Sequence, residues 1–170
     1  MKQILSALVE NRSGVLARIS GLFARRGFNI DSLAVGETED PTISRMTIVV
    51  DGDDDMVEQV EKQLNKLVDV IKVKKLDSSV TTRRELLLIK VAVGAQKRGE
   101  VIDIARVMDA KIVDISPTTL TIELCDRPER AALMTELLTP YKIREVARTG
   151  TVAMEKGAGD INYRPQSQKE

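Results

Sequence analysis

The chain has 170 residues, 42% of them hydrophobic and 31% charged, with 26 basic side chains against 26 acidic ones. Zero formal charge removes the usual electrostatic reason to expect nucleic acid or an anionic membrane as partner. The absence of histidine and the single cysteine, Cys125, exclude His-based triads and metal centres, an internal disulfide and Cys-based zinc sites. Its opening apolar run is too short for a signal peptide, and no stretch approaches the ~20 apolar residues of a membrane span, so the cytoplasm is the expected location.

Lys2–Glu10 reads as a strand. A helix follows over Gly14–Arg26, with Ser13 as a competent N-cap and Val15, Leu16, Ile19, Leu22 and Phe23 on one stripe. Gly27 suits a left-handed residue after the last turn, and Phe28 then makes the apolar contact back to the helix. Asn29–Glu37 is a second strand, Thr38–Pro41 a loop and Ile43–Asp51 a third strand. Asp53–Lys66 is a helix with Val57, Val60, Leu64 and Leu67 on one side, and Asp69–Leu76 closes the unit as a strand.

The same order then repeats: a strand at Glu85–Val93, a helix near Lys97–Met108, a hairpin of Lys111–Ser116 and Thr118–Cys125, a helix at Arg127–Leu138 and a strand at Lys142–Arg148. The repeat lies in element order and length, not in residues. The expected fold class is α+β: two ferredoxin-like βαββαβ domains in tandem, each an antiparallel sheet with helices on one face. The expected boundaries are 1–77 for the first domain, 78–84 for a linker, 85–156 for the second domain and 157–170 for a flexible tail.

In this topology the second strand lies at the sheet edge. It carries Ile30, Leu33, Ala34 and Val35 with no lysine or proline to block pairing, which predicts a homodimer through that edge. The turn Asn11-Arg12-Ser13-Gly14 is the other unusual feature. Glycine at a helix start lets a carboxylate or phosphate approach unpaired backbone N–H groups and the helix dipole. Asn11 adds an amide, Asn29 would face this turn from a partner paired at the edge, and Val15, Leu16, Ile30 and Val35 supply apolar walls. The ligand so described is a small zwitterion with an aliphatic side chain. The residues equally allow a reading without a ligand, with Gly14 a tolerated helix start, Asn11 a turn residue and Asn29 a residue after a C-cap.

The stretch "LVENRSGVLARISGLFARRGFNIDSL", with "DPTISRMTIVV" and "EQVEKQLNKLVDVIKV", closely resembles the small regulatory subunit of acetolactate (acetohydroxyacid) synthase. The likeness continues through "RELLLIKV" and "IREVARTGTVAM", covering essentially residues 1–156. It implies an ACT domain over the first unit and a non-catalytic partner of a large catalytic subunit in branched-chain amino-acid biosynthesis. The small subunit would raise that enzyme's activity and confer feedback inhibition by valine. Thiamine diphosphate, Mg and FAD are expected in the catalytic subunit and no cofactor in this chain. Carried over by position, the effector site is Asn11, Gly14, Val15 and Leu16 from one protomer with Asn29 and Ile30 from the other. Gln59 joins them by resemblance alone. Gly36 stands where relatives carry a small side chain, which bears on effector sensitivity.

Other chemistries fit less well. Asp51–Asp55 lacks the later bidentate glutamate of a calcium loop, and its acids favour the following helix dipole. Cys125 reads as a small buried apolar residue, and Arg83–Arg84 and Lys72–Lys75 as solvated charge with a docking role open for the arginines. RNA-recognition domains share this element order, but they need aromatic stacking residues on the sheet face, and Phe23 and Phe28 sit in or beside a helix. A metal-sensing repressor domain lacks His and Cys ligands, and a stand-alone enzyme lacks a nucleophile–base pair or phosphate loop.

Overall fold

The computed structural model describes residues 2–161. The chain forms two compact units. The first runs to Thr82 and resumes at Thr151, and the second is Arg83–Gly150. The tandem α+β expectation holds, with each unit an antiparallel sheet carrying two helices. The boundaries differ from those expected. The second unit stops six residues early, and the presumed linker is structured: Asp77 accepts the Ser79 N–H at 2.8 Å in a 3-10 turn, after which β5 begins at Thr81.

The first unit comprises β1 (Lys2–Glu10), α1 (Val15–Arg26), β2 (Ile30–Glu37), β3 (Ile43–Asp51), α2 (Asp54–Leu64) and β4 (Val70–Leu76), in the sheet order β2-β3-β1-β4. Alternation sets the register: Leu5 lies opposite Ile48 and Ala7 opposite Met46, and this face packs on Ile19, Phe23, Val57 and Val60 of the helices. Gly27 is left-handed at φ +67°, its successor Phe28 returns an N–H to the Phe23 carbonyl at 3.0 Å, and the two rings meet edge to face at 6.5 Å. That bears out the C-terminal reading of α1. At the other end of the sheet's two edges the sequences contrast: β2 has no lysine, whereas β4 carries Lys72, Lys74 and Lys75.

β1 is buried over seven consecutive residues, Gln3–Val9, so both of its faces are covered. The cover on the far face is the returning segment Thr151–Ile161. Thr151 N–H donates to Ser32 Oγ of β2 at 2.9 Å, Arg45 of β3 donates to the Ala153 carbonyl at 3.0 Å, and Lys74 of β4 reaches Glu155 at 2.6 Å. The segment, with β9 at Val152–Glu155, therefore crosses the sheet from one edge to the other. Ala153 packs with Ile4, Val49 and Leu76, and Ile161 with Leu8 and Ile43. Burying Ile161 there contributes about 1.5–3 kcal/mol, and the single methyl of Ala153 under about 1 kcal/mol. Within the expected tail, residues 157–160 are exposed and Ile161 is buried, and its remainder, residues 162–170, lies outside the described residues.

The second unit comprises β5 (Thr81–Ala92), α3 (Ala95–Val107), β6 (Lys111–Ile115), β7 (Thr119–Asp126), α4 (Pro128–Leu138) and β8 (Ile143–Arg148), ordered β6-β7-β5-β8. Leu87, Ile89 and Val91 face Val101, Ala105 and Met134 across its core. Cys125 is exposed, contrary to expectation. Leu120, Ile122 and Leu124 point toward the helices, so the strand period turns residue 125 outward. Arg83 pairs with Glu129 at 2.9 Å.

Candidate functional site

The polypeptide leaves β1 at Glu10 and enters α1 at Val15 through a turn that Gly14 closes with φ +86° and ψ −12°. Gly14 is itself the N-cap, and no side chain caps the helix, so Ser13 does not take that role. The reason for glycine is first conformational: a residue with a Cβ in this left-handed region is strained by about 1–2 kcal/mol. A second reason lies in space. A Cβ built on Gly14 would stand 3.2 Å from Nη1 of Arg18.

Arg18 N–H bonds the Gly14 carbonyl at 3.0 Å, and Val15 N–H reaches the Arg12 carbonyl at 3.5 Å. The N–H groups of Leu16 and Ala17 meet no acceptor among the described residues. With the helix dipole they make a seat for an anionic group. Asn11 anchors the turn from the side: its amide donates to Glu37 Oε1 at 3.0 Å and to the Pro41 carbonyl at 2.8 Å, and its backbone N–H to the Thr42 carbonyl at 2.7 Å.

Three residues that sequence reasoning passed over surround this turn. Asp69, only 2% exposed, lies just before β4. Its Oδ1 accepts from Arg12 Nε at 3.1 Å and Nη2 at 2.6 Å, and its Oδ2 from Arg18 Nε at 2.5 Å. Arg12 also contacts Glu10 Oε2 at 2.8 Å. The hydrogen bonds from Arg18 and then Arg12 hold the Asp69 carboxyl below the ordinary carboxylate range, outweighing its burial. The Arg12 guanidinium is raised in turn, by its bond to Asp69 first and Glu10 second. No local spacing could have announced the cluster, because Asp69 lies more than fifty residues from either arginine in the chain.

The seven expected site residues divide into groups. Asn11, Gly14 and Leu16 share the turn, with Leu16 48% exposed beside it. Val15 points into the core next to Ile19, and so is not an open wall in this protomer. Asn29 is exposed, its amide 3.3 Å from Asp31, and Ile30 is half-buried against the same core. These two follow the far end of α1, a helix of 12 residues and hence ~18 Å long, so one protomer does not bring them to the Gly14 turn. Gln59 is exposed on α2. A separate cleft of about 400 Å³ opens between the covered face of the sheet and the returning segment, lined by Leu8, Ile43, Arg45 and Ile161 among others, and none of the seven borders it.

Two acids of the Asp51–Asp55 run have roles in the fold. Asp53 Oδ1 caps α2 by accepting the Met56 N–H at 2.9 Å, and Asp54 Oδ1 takes Lys75 at 2.7 Å. Among the described residues no cluster of three or more His, Cys, Asp or Glu side chains could hold a metal, and no helix is long and apolar enough to cross a membrane.

Comparison with known proteins accounts for both units. Residues 5–72 match a family model described as the AHAS small subunit-like ACT domain, and residues 84–157 match one described as the small subunit of acetolactate synthase. The chain belongs to the acetolactate synthase small-subunit family. The acetolactate synthase small subunit of Mycolicibacterium smegmatis is 50% identical over 157 residues, which are 92% of this chain and 92% of that one. The probable small subunit of Methanothermobacter thermautotrophicus is 49% identical over 156 residues, 91% and 93% of the two chains. The crystal structure of the Thermotoga maritima small subunit superposes with a TM-score of 0.87 at 39% identity, covering 94% of this chain and 99% of that one. As a member of this family the chain is a regulatory small subunit whose first unit is an ACT-type domain.

Proposed function

We propose that this small subunit senses branched-chain amino acids for acetolactate synthase, raising the activity of the catalytic subunit and imposing feedback inhibition when valine binds. The observation that carries the reading is the Gly14 turn, where a left-handed glycine leaves the Leu16 and Ala17 N–H groups unpaired at the start of α1. A carboxylate fits those donors, and an aliphatic side chain suits the exposed Leu16 and the half-buried Ile30. Two extra buried methylene equivalents at about 0.8 kcal/mol each favour valine over alanine by roughly ten-fold or somewhat more.

Two ACT domains pair through β2 in this reading, so that Asn29 and Ile30 of a second copy face the turn. The contrast between an edge free of lysine at β2 and one lined with lysine at β4 favours that side. The catalytic chemistry, with thiamine diphosphate, Mg and FAD, belongs to the catalytic subunit. Effector binding shifts a two-state equilibrium that this subunit reads, which needs a differential affinity of about 1–3 kcal/mol.

Calorimetric titration with valine, leucine, isoleucine and alanine tests the reading, alongside reconstitution with the catalytic subunit. A branched-chain ligand should saturate the protein, and Gly14→Asp should abolish binding while activation of the catalytic subunit persists. Loss of activation with retained inhibition would refute the separation of the two roles. Val35→Lys, on the β2 edge, should turn a sedimenting dimer into a monomer at micromolar concentration.

A further inference from the structure

Resting on the reading of the α1 turn as the effector seat, we propose that Arg18 receives the effector's carboxylate and that Asp69 is the residue that positions it. Asp69 is buried and divides its two oxygens: Oδ1 takes Arg12 through Nε and Nη2, and Oδ2 takes Nε of Arg18. That division leaves the two arginines in different states. Arg12 has committed Nε and Nη2, the side of the guanidinium that forks onto a carboxylate, and it also contacts Glu10. Arg18 has committed only Nε.

The outer end of Arg18, with Nη1 and Nη2, meets no acceptor among the described residues, and it stands over the turn. Nη1 lies 3.2 Å and Nη2 4.0 Å from the point where a Cβ on Gly14 would be. Paired terminal N–H groups of a guanidinium match the two oxygens of a carboxylate. They stand over Gly14, the residue that opens the helix whose Leu16 and Ala17 N–H groups meet no acceptor among the described residues. The side chain of Arg18 is half exposed at 49%, open to a ligand from solvent, while its root is held by a carboxylate that is not.

The charge balance of the cluster indicates what kind of ligand it suits. Arg12 and Arg18 stand against Asp69 and Glu10, two positive charges against two negative ones. A neutral zwitterion enters such a site without leaving a net charge, whereas a multiply charged phosphate does not. Glycine at position 14 then bears on recognition as well as on backbone shape: a Cβ there would stand 3.2 Å from Nη1, so the guanidinium would have to shift by a few tenths of an ångström.

The test is calorimetric titration of the full chain with valine and with valinamide, whose neutral amide replaces the carboxylate. In Arg18→Gln, valine affinity should fall about 10–100-fold, to the level of the amide, while amide binding stays within about two-fold of the unsubstituted protein. This variant leaves Asp69 paired with Arg12. Asp69→Asn should move the same way, with valine weakened and the amide unaffected. Equal weakening of both ligands would indicate a packing defect and overturn the assignment. Unchanged valine binding in Arg18→Gln would overturn it while leaving the effector site itself standing. Failure of the unsubstituted chain to bind any branched-chain amino acid would bring down both.

Discussion

β1 and β5 hold equivalent places in their sheets, each flanked by the third and fourth strands of its own unit, but they are buried differently. Leu8 of β1, on the face turned away from the helices, is 3% exposed because Ile161 packs on it, whereas Leu88 on the same face of β5 is 36% exposed. The turns that follow these strands differ as well. Gly14 caps α1 in the left-handed region at φ +86°, while Gly94 caps α3 with φ −77° and ψ 172°, an extended conformation open to any residue. A Cβ on Gly94 meets nothing within 4 Å, and one on Gly14 meets Arg18. One topology thus serves two ends. What separates the ACT-type unit from its neighbour is the backbone at one turn, the charges around it and the cover on one sheet face.

Paired substitutions test that contrast, and hydrogen exchange read by mass spectrometry of peptides reports on each unit separately. The largest difference is expected on the outer faces. Leu8→Ala should cost the first unit about 2–4 kcal/mol, since it empties a buried site, and Leu88→Ala should cost the second under about 1 kcal/mol. Equal effects would mean that the returning segment does not seal the first sheet. Next come the turns, where serine should act in opposite directions. Gly14→Ser should destabilise by about 1–2 kcal/mol, and Gly94→Ser should stabilise by a few tenths as its hydroxyl caps α3.

The smallest effect is expected from acid. Asp69 sits below its ordinary value because Arg18 and Arg12 hydrogen-bond its carboxylate, so its contribution is complete above the unfolded carboxylate value near pH ~4 and is lost as pH falls through the lower folded value. Burial pushes Asp126 of the second unit upward, but the Arg127 backbone N–H and the Arg130 side chain more than reverse this, so both units weaken in acid. Asp69→Asn should flatten the acid dependence of exchange around β4 and the start of α1 and leave that of the second unit unchanged. Flattening in both units would show that the titrations are not local.

Much of the fold was legible because most strands here have one dry and one wet face. Leu120, Ile122 and Leu124 announce β7 by alternation, and that same parity, applied one residue further, would have turned Cys125 outward. The end of α1 was legible too, since Gly27 followed by Phe28 is a local device. Gly14 was legible as an anomaly but not as a left-handed residue, because the sign of φ is not written in residue type when Ser13 offers a competing cap. The run Ile4–Val9 reads as continuously apolar apart from Ser6, the mark of a strand covered on both faces, yet nothing in the sequence names its second cover. Thr151–Ile161 has too few apolar residues to show a period. The Arg12–Asp69–Arg18 cluster was hidden for a related reason: it joins parts of the chain that only the closed sheet brings together.

The path of the returning segment bears on how the protein is made. Ala153 completes a cluster whose other members, Ile4, Val49 and Leu76, are all made by the end of β4, 77 residues earlier. At ~5–20 residues per second, a ribosome needs roughly 4–15 s to bridge that interval. Through it, the far face of the first sheet has its greasy strand centre bare, even if its helices have already docked. The nascent chain therefore passes through a period in which a nearly finished domain is sticky on one side. Chaperone occupancy should fall when Thr151–Ile161 leaves the exit tunnel, and a message truncated shortly before Thr151 should yield a product that aggregates.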